Sequence, residues 1–246
     1  MNPSRLIFFA IVILLSACVH KQKHVVSAIE ELIPVDSTLD AMQDTTYLRY
    51  LQPYADSLNS ELDIVIGYAP VALTICKPEC SMLNWACDAL YDMAVEKTHR
   101  QVDFSVVNIG GMRSEWQAGD ITKRHIFCLM PFDNRLVLLT MQGSDVLELC
   151  DVFAQQGGQG VSRQLRMEIV NGKAGNVRLK GKKIIPEAVY YVATSNYLAT
   201  GADRLTPLSH YVDIYDSNLL IRDLYMEYVQ TRKQVKSTVD GRMKKL

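Results

Sequence analysis

From residue 63 to residue 229 the apolar positions switch repeatedly between a spacing of two and a spacing of three or four, which limits the chain to layers of strand and helix. Residues 63–75 are β-branched and partly alternating and predict a strand or bent strand. Leu83, Ala86, Leu90, Met93 and Ala94 then fall on one helical face, with Ser81 placed to cap it. A short strand at 104–108 leads into Gly110-Gly111, a strand is expected at 135–141 and a helix at 144–153. Residues 165–170 and 177–179 flank the turn-forming Asn171-Gly172, a hairpin signal. A strand at 189–195 and a closing helix at 217–229 complete an α/β fold of mixed α+β layers, expected as a single domain over 46–231. The 246 residues suffice for one such core and for no long multidomain enzyme.

The N-terminus reads differently. Arg5 precedes ten consecutive apolar residues, 6–15, and then Ser16, Ala17 and Cys18. A bilayer needs roughly 20 apolar residues in a helix, so this stretch is the hydrophobic region of a signal peptide. Leu15-Ser16-Ala17-Cys18 resembles the lipobox of bacterial lipoproteins. That resemblance implies cleavage of residues 1–17, acylation of Cys18, and export to a periplasmic or cell-surface membrane face. Residues 18–45 are expected to be a tether, and 232–246, with six Lys and Arg, a frayed basic tail.

Charge and metal-binding residues exclude several classes. With 26 Lys and Arg against 27 Asp and Glu, no general field exists to hold DNA or RNA, so phosphate contacts must come from single cations. The histidines, His20, His24, His99, His125 and His210, have no ligand spacing, and Asp145, Glu148 and Asp151 read as the solvated face of a helix. No metal site is expected. Cys76 and Cys80 stand either as a bridge around Lys77-Pro78-Glu79 or as free thiols. Cys87, Cys128 and Cys150 lie among apolar residues and are expected to be small buried hydrophobes.

Three loops carry residues that a core does not need. In the first, Asn108-Ile109-Gly110-Gly111-Met112-Arg113, paired glycines allow close backbone approach to a ligand and the Arg offers a planar fork to phosphate. It is no P-loop, since no G-K-[ST] follows. In the second, Pro131 fixes the backbone before Phe132, and Asp133-Asn134 marks a turn that displays the ring. In the third, residues 195–203, Tyr197 and Asp203 are separated by small residues, a combination suited to stacking on a base and binding sugar hydroxyls.

In order, these loops resemble the C-terminal, nucleotide-binding domain of the 5′-nucleotidases. The family's N-G-G-G-[IM]-R is matched at 108–113 with Ile109 for the first glycine, and its P-F-G-N at 131–134 with Asp133 for glycine. Its N-[FY]-L-A-x-G-G-D is matched at 196–203 with Ala202 for the second glycine, and its E-[SC]-x-x-G-N-L-x-[AC]-D-A by residues 79–89. The resemblance implies that Phe132 and Tyr197 sandwich a nucleobase, Asn108 touches it, Asp203 holds ribose hydroxyls and Arg113 contacts phosphate. Lys77 stands nearest a further family arginine that precedes the E-[SC] motif.

Hydrolysis in this family belongs to a metallophosphatase domain whose D-x-H and G-N-H-[DE] motifs hold two metals. Neither motif occurs in this sequence. The expectation is therefore a chain with no catalytic residues of its own. It would be the nucleoside- or nucleotide-binding half of a hydrolase of nucleotide catabolism, working with a separately encoded metallophosphatase that carries the divalent pair. A surface-anchored binding lipoprotein without catalysis is the alternative.

Overall fold

The computed structural model describes residues 32–41 and 44–246. The expected signal peptide, Cys18 and most of the expected tether lie outside them. The chain divides into a unit ending at Leu51 and a larger unit from Gln52 to Leu246. In the first, a 3-10 turn (Ser37–Ala41) precedes α1 (Thr45–Leu62), which continues into the second. Residues 32–39 are exposed. Among the described residues no helix is long and apolar enough to cross a membrane.

The larger unit is built on a five-stranded sheet in the order β10 (Asp213–Leu220), β4 (Arg135–Gln142), β9 (Val189–Ser195), β2 (Phe104–Val107) and β5 (Gly160–Val161). Alternate residues of β4 enter different cores. Leu136 and Leu138 join Leu83, Trp85, Leu90 and Tyr225, whereas Val137, Leu139 and Met141 join Phe104, Phe153, Leu165 and Val192. A strand covered on both faces reads as a near-continuous apolar run, which is why β2 (FSVV) and β4 (RLVLLTMQ) do. Helices α2 (Ser81–Thr98) and α5 (Ile221–Arg232) fill the first core. The second holds α4 (Gly143–Gln155) and a four-stranded sheet, β11 (Met243–Lys245), β6 (Leu165–Val170), β7 (Lys173–Leu179) and β8 (Lys182–Lys183). The β6–β7 turn has Asn171 and Gly172 both at positive φ, 51° and 75°, as a tight two-residue hairpin requires. A smaller sheet pairs β1 (Val65–Ala69) with β3 (Gly119–Thr122), which runs into α3 (Lys123–Leu129).

Several local expectations are corrected. Cys80, not Ser81, caps α2: its Sγ accepts the Leu83 N–H at 3.5 Å, while Ser81 Oγ accepts the Thr74 N–H at 3.0 Å. The closing helix starts at Ile221 because residues 213–220 pair with β4 as β10. Cys76 and Cys80 are both free thiols, and Cys128 is exposed on α3 while Cys87 and Cys150 are buried.

The largest correction is the C-terminus, which is tied in rather than frayed. Met243–Lys245 pairs in parallel with β6, and Arg242 is 3% exposed. Its guanidinium donates to both Asp88 oxygens at 2.9 and 3.1 Å, to Asp240 Oδ2 at 3.0 Å and to the Val161 carbonyl at 3.0 Å. Buried Glu79 accepts the Asp240 N–H at 2.8 Å and the Asn84 amide at 2.7 Å, and Asn84 also donates to the Thr238 carbonyl at 2.9 Å. Residues that read as a motif at the start of α2 therefore receive the end of the chain.

Candidate functional site

Strand pairing decides where the three loops go. β2 and β9 are parallel, so the loops after Val107 and after Ser195 leave the same edge of the sheet. β4 is antiparallel to β9 with Leu136 opposite Ser195, which brings the loop before Arg135 to that edge as well. Asn196 fastens the junction: its N–H donates to the Arg135 carbonyl at 2.9 Å, and its Oδ1 accepts the Arg135 N–H at 2.8 Å. The Arg113 N–H reaches the Leu129 carbonyl at 2.9 Å, joining the first loop to the second.

One cleft of about 330 Å³ results, lined by Asn108, Gly110, Gly111, Arg113, Phe132, Asn134, Tyr197 and Asp203. Its size lies at the small end of ligand pockets. Five of the six expected site residues meet here; Lys77 does not. It lines an adjoining cavity with Ile109, Gln156, Gln159 and Arg204, the two spaces sharing Gly110 and Asp203. Phe132 and Tyr197 remain 38% and 44% exposed, two rings that leave apolar surface in water at the cleft.

Asp203 is the node of the cleft. One oxygen accepts from the Asn108 amide and the other from the Tyr197 hydroxyl at 2.9 Å. The bond to that carboxylate holds the Tyr197 phenol above its usual range. The Asp203 backbone is left-handed, φ 55° and ψ 28°, a region that Asp and Asn enter more readily than most residues. Gly111 makes room for this arrangement, because a Cβ there would come within 2.6 Å of Asn108 Oδ1. Arg113 donates to the Gly110 carbonyl at 3.2 Å and is otherwise exposed at the rim.

Two residues missed in the sequence brace the node from the end of α4. Gln159 Oε1 accepts the Ile109 N–H at 2.8 Å and its amide donates to Gln156 Oε1 at 2.5 Å. The Gln156 amide donates in turn to the Asp203 carbonyl at 3.1 Å. The polar, glycine-rich run Gln156-Gly157-Gly158-Gln159-Gly160 after an apolar helix was the available signal.

Asp145, Glu148 and His210 offer ligand atoms within 4.8 Å of one another, the only group of its kind among the described residues; none of the three lines the cleft.

A profile of the family described as 5′-nucleotidase, C-terminal domain, matches residues 65–210, more than half the chain. The chain belongs to the 5′-nucleotidase C-terminal domain family. It is 24% identical over 208 residues to a 5′-nucleotidase of Vibrio cholerae, covering 82% of this chain and 37% of that one. To the protein UshA of Escherichia coli it is 23% identical over 197 residues, 78% of this chain and 36% of the relative. Among solved structures, a 5′-nucleotidase precursor from Thermus thermophilus matches with a TM-score of 0.73 at 22% identity, over 83% of this chain and 44% of that one. The chain spans less than half the length of each of these relatives.

At the three positions of this 5′-nucleotidase C-terminal domain where the motif resemblance implies glycine, Ile109, Asp133 and Ala202 do not line the cleft. Ile109 packs against the core under α2. Asp133 accepts from Arg222 of α5 at 2.9 Å, and Ala202 closes a turn through its carbonyl to the Leu205 N–H at 3.0 Å.

Proposed function

We propose that the cleft binds a nucleoside or nucleotide, with the base between Phe132 and Tyr197, the ribose hydroxyls on Asp203 and a phosphate at Arg113. The convergence of three loops from β2, β4 and β9 around two half-exposed rings and one oriented carboxylate carries this reading. Base stacking contributes about 1–3 kcal/mol per base. Asn108 and Tyr197 pre-orient Asp203, so little ordering is left to the ligand.

In this reading the chain is the ligand-holding half of a 5′-nucleotidase-type hydrolase of nucleotide catabolism. The phosphoryl chemistry falls to a partner metallophosphatase, because the sequence contains neither D-x-H nor G-N-H-[DE]. Export and acylation at Cys18 place the assembly on a membrane face; loss of acyl labelling and of membrane association in C18S is the expected result.

Calorimetry on the purified protein with adenosine and 5′-AMP tests the cleft. Binding is expected, with F132A and Y197A each weakening it by about 1–3 kcal/mol; unchanged affinity in both variants removes the stack. With divalent metal added, the protein alone should release no phosphate from 5′-AMP, and turnover abolished by R113A would overturn the division of labour.

A further inference from the structure

The cavity beside the cleft has no part in the reading above, and its composition is unlike that of the cleft. It is a shallow space of about 420 Å³ with Lys77 and Arg204 on its wall, and it contains no aromatic residue. Among the described residues neither cation has a carboxylate within 4.0 Å, although the chain as a whole carries slightly more acid than base. Lys77 is held in place by donating to the Gln156 carbonyl at 2.5 Å, which leaves two of its N–H groups directed elsewhere. Arg204 has φ of 61°, a left-handed backbone beside the equally left-handed Asp203.

Asp203 and Gly110 form the ridge between the two spaces. The carboxylate that faces the cleft is already engaged on both oxygens, by Asn108 and Tyr197. The carboxamides of Gln156 and Gln159 are occupied by each other and by the backbone of residues 109 and 203. The unengaged donors of the cavity are thus cationic.

Resting on the assignment of ribose hydroxyls to Asp203, we propose that Lys77 and Arg204 form an anion subsite for a phosphate on the ribose edge of the ligand. Such a phosphate sits at the 2′ or 3′ position, across the ridge from the base. The site is separate from Arg113, which lines the cleft and not this cavity. An Arg fork and a Lys point charge together suit a dianionic group with three oxygens better than either suits a neutral hydroxyl. A nucleoside with phosphates at both the 5′ and the ribose-edge positions would engage both sides of the ridge. The preference this confers lies in the ligand's sugar, not in its base.

Calorimetry with adenosine, 5′-AMP, 3′-AMP, adenosine 3′,5′-bisphosphate and inorganic phosphate tests the subsite in the full protein. Adenosine 3′,5′-bisphosphate is expected to bind at least tenfold more tightly than 5′-AMP, and R204Q and K77Q should each erase most of that gain. Salt should weaken the bisphosphate more steeply than adenosine. Inorganic phosphate alone is expected to bind far more weakly than 3′-AMP, since the base and ribose hold it in place. Equal affinity for 5′-AMP and the bisphosphate, or a gain that survives R204Q and K77Q together, overturns the subsite. If adenosine binds and F132A weakens it while the 3′-phosphate adds nothing, the subsite alone fails. If no nucleoside binds at all, the cleft assignment and the subsite fail together.

Discussion

Two carboxylate knots in this chain use the same chemistry for opposite ends. Around Arg242, Asp88 and Asp240 pair with a guanidinium that is 3% exposed, and Glu79 saturates the nearby backbone. Around Asp203, a carboxylate is tied to an amide and a phenol, yet the neighbouring rings stay near 40% exposed and the backbone is left-handed. One knot is closed, with its donors and acceptors spent on the chain itself. The other holds a left-handed backbone and open apolar surface in a fixed geometry, as the proposed binding of a nucleoside requires.

Breaking the closed knot should have the largest effect. R242M takes the buried guanidinium from Asp88 and Asp240 and leaves them only the more exposed Arg163 and Arg166, and removing one side of a buried ion pair costs about 3 kcal/mol. Urea denaturation is expected to show that loss, while adenosine affinity at low temperature stays within twofold of wild type. A matching loss of affinity would show that the two knots are not independent. In the open knot, G111A drives a methyl toward Asn108 Oδ1 and shifts its amide from Asp203. Nucleoside affinity should fall by about 1 kcal/mol, the worth of one hydrogen bond, with a smaller change in stability.

The smallest effects separate the knots by pH. Burial would raise the Asp240 carboxyl, but its bonds and charge pairing with Arg242 hold it below its ordinary value. Its stabilisation is therefore complete above the unfolded carboxylate value of about 3.9 and is lost as pH falls through the lower folded value. Tyr197 is displaced the other way by Asp203, so its contribution is complete below about pH 10 and disappears as pH rises through the folded value. Hydrogen exchange at the amides of β11 should speed up first in acid. Ultraviolet titration should show one fewer late-ionising tyrosine in D203N than in wild type, with Tyr225 and Tyr228, raised by burial, late in both.

The sequence revealed the parts whose cause is local. β9 runs over Val189–Ser195, as its β-branched pattern predicts, and Asn171-Gly172 turns the hairpin because both positions take positive φ. The three loops were legible because glycine, proline and displayed aromatics are costly in a core. Their meeting at one edge was not, since it follows from the parallel pairing of β2 with β9, which no residue in either strand announces. β11 was missed for the same reason: Met-Lys-Lys has no strand pattern, and its anchor Arg242 finds Asp88 across 154 positions of chain. α5 was placed too early because Asn218, at φ 60°, bends β10 within an otherwise helical-looking run.

The tie at the C-terminus also defines what must be kept when the domain is cut or tagged. The family match ends at residue 210, before α5, Arg242 and β11. A fragment trimmed to the match would strip Val229 and Tyr225 from the first core and take from Glu79 and Asp88 their partners at residues 240–243. The final residue itself donates its N–H to the Ile169 carbonyl at 3.0 Å, so an affinity tag is better carried elsewhere or behind a long spacer. The cooperative unit is thus wider than the stretch that identifies it.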